Sequence, residues 1–344
     1  MIINTEILDQ KRQSSDRQAD RIVEIAMQAG KAHFLYETVS LPLDKLNGFS
    51  SEDPGINSFM HQKQVMPVWV DEDQLKRAAE FYRSYALEIM MLLGAVSLPS
   101  CYAASPGNKV LYLSEKIRKK PGKRLLETAS FVIAISERNA FDENGPGYPA
   151  VQQVRLIHAM ARHFILKSGK WDNVWGIPAN EEDMLGTNLA FSYTVLKALK
   201  ASGFRLKEED LNAYLHLWKW VGYLIQIDET LLTDRMEEAE QLDLIIRERH
   251  FKKNPEGAAL TRSLIEHYRE ALPGGLGFLV ESQIKYFVGP EVGEMLGLRS
   301  SFPQDMIVRS LSDIVGVFNR NLPHKPTYRK MMKDHQRLKK MYYP

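Results

Sequence analysis

Apolar residues recur at three- and four-residue steps in one segment after another, and no stretch alternates apolar with polar as a half-buried strand does. That pattern confines the chain to an all-α architecture. It predicts about ten helices in a single domain over residues 1–344, a large helical bundle. The expected helices are 16–29, closed by Gly30; 71–98, with Pro99 just beyond it; 111–119, stopped by Pro121; 123–138; and 151–167. A further helix is N-capped by Asn180 and closed by Gly203, and others cover 206–227, 233–249, 258–272, 276–287 and 303–319. Residues 1–15 read as a loose leader, and 41–67 as a long connection, parts of which form short turns or pack on the body. Residues 100–108 and 139–149 read as loops. Beyond Pro323 and Pro326 the tail gathers Arg329, Lys330, Lys333, Arg337, Lys339 and Lys340. That run reads first as a solvated helix face and only second as a partner for an anionic surface.

Composition narrows the function. A chain of 344 residues can bury a large core. Its 45 basic and 43 acidic residues leave a formal charge of +2, which argues against nucleic acid as the main partner. Cys101 stands alone, so there is no internal disulfide and no multi-cysteine metal site; a reducing compartment fits. The first residues lack the apolar core of a secretory signal. The longest apolar-rich run, Leu87 to Leu98, is interrupted by Glu88 and falls short of the roughly 20 residues that span a bilayer. These features lead to the expectation of a cytoplasmic protein with no transmembrane segment.

Two helices carry unusual polar residues. On the helix 151–167, Val151, Val154, His158, Ala161 and Ile165 share one stripe, apolar except for the imidazole. Arg155 and Arg162 flank His158 on the same side. Such a histidine can hold a haem iron axially while arginines neutralise the propionates; equally, it can be a core histidine bonded to a carbonyl. On the helix 123–138, Arg124, Glu127 and Thr128 fall at i, i+3 and i+4 of an otherwise apolar segment. They form either the polar wall of a pocket or a structural ion-pair cluster.

Several common sites are absent. There is no phosphate-binding glycine loop, no GxGxxG and no HExxH. None of the nine histidines has a glutamate three residues before it, which excludes the Glu-x-x-His pairs of a di-iron bundle. His163 lies too far round the helix to share an iron with His158. A cofactor with its own reactivity remains open to an all-α enzyme, and haem needs as little as one protein ligand.

Three patches, GKRLLETASFV at 122–132, VRLIHAMAR at 154–162 and WGIPANEEDMLGTNLAF at 175–191, together resemble the family of MpaB-type oxygenases and latex-clearing rubber oxygenases. The later YLHLWKWVGYLIQIDETLL at 214–232 is similar too. The resemblance spans about residues 75–235, leaving 1–74 as an N-terminal extension and 236–344 as C-terminal helices. It implies a globin-like helical fold holding haem b, and use of dioxygen to cleave a carbon–carbon double bond in a hydrophobic, isoprenoid-like substrate. It implies His158 as the iron ligand, with Arg155 and Arg162 as cofactor-binding residues. Arg124, Glu127 and Thr128 would stand on the reacting side. Where rubber oxygenases carry a lysine that can cap the iron, this chain has Glu127. That departure leaves open a haem- or hydrophobic-ligand-binding protein without turnover, or an interaction module without haem. The resemblance assigns no role to the segment 175–183, where Asn180 and Asp183 read as a helix cap, nor to Trp218 and Gly222, which read as packing.

Overall fold

A computed structural model describes residues 5–114, 121–321 and 324–343, the side chains of 273–275 excepted. Eighteen α-helices and no named strand occur among these residues; one isolated antiparallel bridge pairs Ala104 with Phe251. The all-α expectation holds, with more helices than the sequence suggests.

The first helices are α1 (Thr5–Lys11), α2 (Arg17–Gln28), α3 (Ala32–Ser40) and α4 (Pro54–Met60). The leader is therefore partly helical, with Leu8 fully buried. Asp16 caps α2 by accepting from the Ala19 amide, and Asp53 caps α4 in the same way from Gly55 and Ile56. The connection 41–67 thus contains a short helix with a sound cap.

α5 (Glu72–Leu92) begins at the Asp71 cap, runs through a single-residue kink at Tyr85, and passes into a π-turn at Leu93–Ser97. It continues directly as α6 (Leu98–Ala103), so Pro99 does not end the helix. A proline in the first turn of a new helix has no amide bond to lose. The whole run Glu72–Ala103, which contains the shorter 87–98 run, is long and apolar enough, by length and composition alone, to cross a membrane, contrary to the expectation of no such segment; 61% of its most apolar window is buried in the protein. Gly94 in the π-turn lets Tyr268 pass close by: a Cβ there would lie 1.9 Å from the tyrosine hydroxyl oxygen.

α7 (Asn108–Leu113) is followed by residues outside those described, so the end of the expected helix 111–119 lies there. Next come α8 (Pro121–Ser136), α9 (Gly147–Lys167), α10 (Glu181–Phe191) and α11 (Tyr193–Ala201). The single helix expected from Asn180 to Gly203 is broken at Ser192, whose hydroxyl bonds back to Asn188 O at 2.7 Å. α12 (Glu208–Leu224), α13 (Met236–His250) and α14 (Pro255–Ala271) follow, then α15 (Val280–Val288), α16 (Pro290–Met295), α17 (Phe302–Asn321) and α18 (Tyr328–Tyr342).

The main core gathers α5, α6, α10, α11 and α12 around Trp220, Tyr82 and Tyr214. A second core packs α2, α3 and α4 against Leu156, Ala159 and Met160 on α9. α9 also sends Val151 into the main core, so it is apolar on more than one side. α17 leaves a broad apolar face in solvent, from Phe302 through Ile307, Leu311 and Ile314 to Phe318.

Candidate functional site

α8 and α9 pack against each other beside a cavity of about 1060 Å³. From α9, the stripe residues Val154, His158, Ala161 and Ile165 line it; Val151 does not. From α8, Arg124, Glu127 and Thr128 line it, with Leu125 and Phe131 between them. α3, α6, α7, α10, α12, α13 and α18 supply most of the remaining wall, with Trp218 among their residues. The two polar groups singled out on separate helices therefore face one space. Its size is at the top of the range for ligand pockets.

His158 is half-buried and also borders a second, small cavity shared with Arg155 and Arg162. No hydrogen bond joins its ring to any described residue. Burial pushes its pKa down to about 3, helped by the nearby Arg162 and Arg124 guanidiniums and opposed by Asp16. The imidazole is therefore neutral, the form that binds a metal ion.

The two flanking arginines are largely occupied elsewhere. Arg155 is 1% exposed and grips Asp16 of the α2 cap with Nε at 2.6 Å and Nη2 at 3.0 Å; Nη1 donates to Gln152 and Nη2 also to Gln18. It ties α9 to the N-terminal helices and does not line the large cavity. Arg162 donates from Nε to Asp20 at 2.7 Å and from Nη1 to Ala179 O at 3.1 Å. Its Nη2 is buried without a hydrogen-bond partner, an open donor near His158. Ala179 holds a positive φ of 52°.

On α8, Arg124 donates to Glu127 Oε2 at 3.4 Å, and Thr128 Oγ1 donates back to Arg124 O at 3.0 Å. Glu127 Oε1 accepts from Tyr343, just past α18, at 3.4 Å. The Glu127 carboxylate is thus held from two directions.

A third polar group in the wall has no signal in the sequence. Glu182 is fully buried and accepts from Arg12 at 3.1 Å and Arg249 at 2.6 Å, with His250 Nε2 at 2.8 Å. Burial alone would raise its pKa, but the bonds from His250 and Arg249 hold it at about 2. Asp183 beside it is pushed up by burial, against Arg12 and His250. As expected, the Asn180 side chain caps α10 by accepting from the Asp183 amide. Glu182, Asp183 and His250 all line the large cavity. Gly222 also packs as expected: a Cβ there would come within 2.5 Å of Leu232.

No cluster of three or more histidine, cysteine, aspartate or glutamate side chains suited to a metal ion occurs among the described residues. A macrocycle that brings its own nitrogen ligands needs a single imidazole and an apolar cavity. His158 and the cavity fit that requirement, whereas Arg162, like Arg155, borders only the small second cavity.

A family model described as ER-bound oxygenase mpaB/B′/rubber oxygenase, catalytic domain, matches residues 82–317. The rubber oxygenase of Streptomyces sp. (strain K30) is 25% identical over 273 residues, which cover 78% of this chain and 67% of that protein. The solved structure of latex clearing protein LCP in the closed state aligns with a TM-score of 0.77 at 22% identity, covering 95% of this chain and 90% of that one, and has the same fold.

Proposed function

The chain belongs to the mpaB/B′ and rubber oxygenase catalytic-domain family and is an oxygenase, and from that premise we propose a haem b enzyme that cleaves a carbon–carbon double bond of a hydrophobic, isoprenoid-like substrate with dioxygen. The observation that carries this reading is the neutral imidazole of His158, without a hydrogen-bond partner among the described residues, facing a cavity of about 1060 Å³.

Bound haem supplies the iron at which dioxygen is activated. The protein's own groups do the rest. His158 offers a ring nitrogen to the iron. Arg162 keeps one N–H open beside the small cavity that His158 also borders, so it would meet a propionate only by a rotation of its side chain toward the large cavity. Leu125, Phe131, Ile157 and Ala161 give the cavity an apolar wall that excludes water and accepts a hydrocarbon chain. Arg124 has N–H groups beyond the one given to Glu127, and these can donate to oxygen as negative charge develops. Glu127 can take up a proton on the same side.

Cleavage of one double bond by one dioxygen leaves two carbonyls, one oxygen atom on each former alkene carbon. Incubating the haem-loaded protein with polyisoprene oligomers under ¹⁸O₂ should give aldehyde and ketone ends with one ¹⁸O each, before exchange with water. Oxygen uptake should match bonds cleaved. A haem-loaded protein with no uptake on any isoprenoid supports the second reading, a non-catalytic haem- or ligand-binding protein. The double hold on Glu127 is the feature that favours it.

A further inference from the structure

α18 has two unlike sides. On the inner side Met331 is buried and His335 Nε2 meets Ser130 Oγ at 2.8 Å. Lys339 pairs with Asp44, and Met332, His335 and Lys339 border the large cavity. On the outer side Arg329, Lys330, Lys333, Arg337 and Lys340 are all exposed. At 3.6 residues per turn these five cations fall within an arc of about 100°. None of them is in an ion pair among the described residues; Asp334 is the one acidic side chain on α18, at the edge of the arc. Met341, 66% exposed, lies about 20° beyond the arc on the Lys330 side; Leu338, 45% exposed, lies about 80° beyond it, with Asp334 between the two.

A cluster of exposed cations on one face of an amphipathic helix, bordered by an exposed apolar side chain, is the pattern that lies on an anionic lipid surface. The whole chain carries only +2, so this concentration is local to α18. We infer that the outer face of α18 docks the protein on an anionic lipid bilayer, the five cations meeting headgroup phosphates and Met341 entering the interface. The opposite side of the same helix is cavity wall, so docking places the cavity one helix diameter from the lipid, where a hydrophobic molecule is concentrated. The docking face stands whether or not the cavity turns over an alkene.

The test is co-sedimentation of the full chain with vesicles of phosphatidylcholine containing about one part in three phosphatidylglycerol, against phosphatidylcholine alone. The expected result is binding to the anionic vesicles only, weakened by salt. The variant K330E/K333E/R337E/K340E, whose side chains are exposed and unpaired, should lose binding by about tenfold or more. The neutral variant K330Q/K333Q/R337Q/K340Q should fall between. Circular dichroism and Tm serve as the check on folding, and the salt titration of the unaltered protein tests the charge dependence without any variant. No binding to either vesicle, unchanged binding of a folded charge-reversal variant, or tighter binding to a duplex oligonucleotide would overturn the assignment. Equal binding to neutral vesicles would overturn it in favour of the apolar face of α17.

Discussion

The hydroxyl of Tyr343 donates to Oε1 of Glu127 at 3.4 Å, joining the end of the chain to the α8 wall of the cavity. Burial, then the Glu127 charge and this bond, push the phenol up to about 12. Replacing Glu127 with Gln should therefore lower the Tyr343 pKa, read as the difference in ultraviolet pH titration between each protein and its own Y343F counterpart. Superimposable Tyr343 titrations with and without the carboxylate would contradict the contact.

Asp16 caps α2 and also holds Arg155, buried near the middle of α9. Asp16→Ala removes the cap and leaves a guanidinium 1% exposed with only amide oxygens for partners. Breaking a buried pair from one side costs about 3–5 kcal/mol. Urea unfolding should show a loss of that order, and Asp16→Ala/Arg155→Met should recover part of it. A loss below about 1 kcal/mol would mean that the pair does not anchor the N-terminal helices.

The depressed pKa of His158 makes a prediction about acid stability. Its folded value of about 3 lies below the ordinary histidine value of 6.5, so the unfolded chain binds the extra proton first. The contribution is complete above about pH 6.5 and is lost as pH falls toward about 3. Glu182 acts lower, its contribution being lost between 4.5 and about 2. His163, His267 and His335 are also depressed by burial and share the upper window. The difference between the unaltered apoprotein and His158→Phe isolates His158. The variant should lose less stability between pH 7 and pH 5, measured as the urea midpoint. Parallel curves would contradict a buried neutral imidazole.

Gly94 and Tyr268 give a packing test. Gly94→Ala places a Cβ against the Tyr268 hydroxyl, and overpacking of this kind costs about 1–3 kcal/mol. Tyr268→Phe removes the nearest atom, so the double variant should recover part of that loss. No recovery would place the cost in the π-turn backbone instead.

The fold class was legible because helical period recurs along the chain, and the cavity stripe on α9 was legible because Val154, His158, Ala161 and Ile165 keep that period. Helix ends were less so. Pro99 looked like a stop because the sequence does not reveal a new first turn, and the break at Ser192 comes from one side chain bonding back to its own helix. Short helices such as α4 and α16 have too few residues to display a period. The helical period puts Arg155 and Arg162 near His158, but their partners Asp16 and Asp20 lie more than a hundred positions earlier. Nothing local could show that Arg155 is saturated while Arg162 keeps one open donor. The Glu182 group was hidden for the same reason: Arg12 and Arg249 stand 170 and 67 positions away.

The central claim, that His158 faces a haem cavity, is tested most directly by the absorption spectrum and pyridine-haemochrome content of the purified protein beside His158→Ala. The account predicts a Soret band with about one haem b per chain, and a folded His158→Ala protein that has lost it. A colourless protein after haem reconstitution, or a variant with unchanged haem content and spectrum, would contradict it.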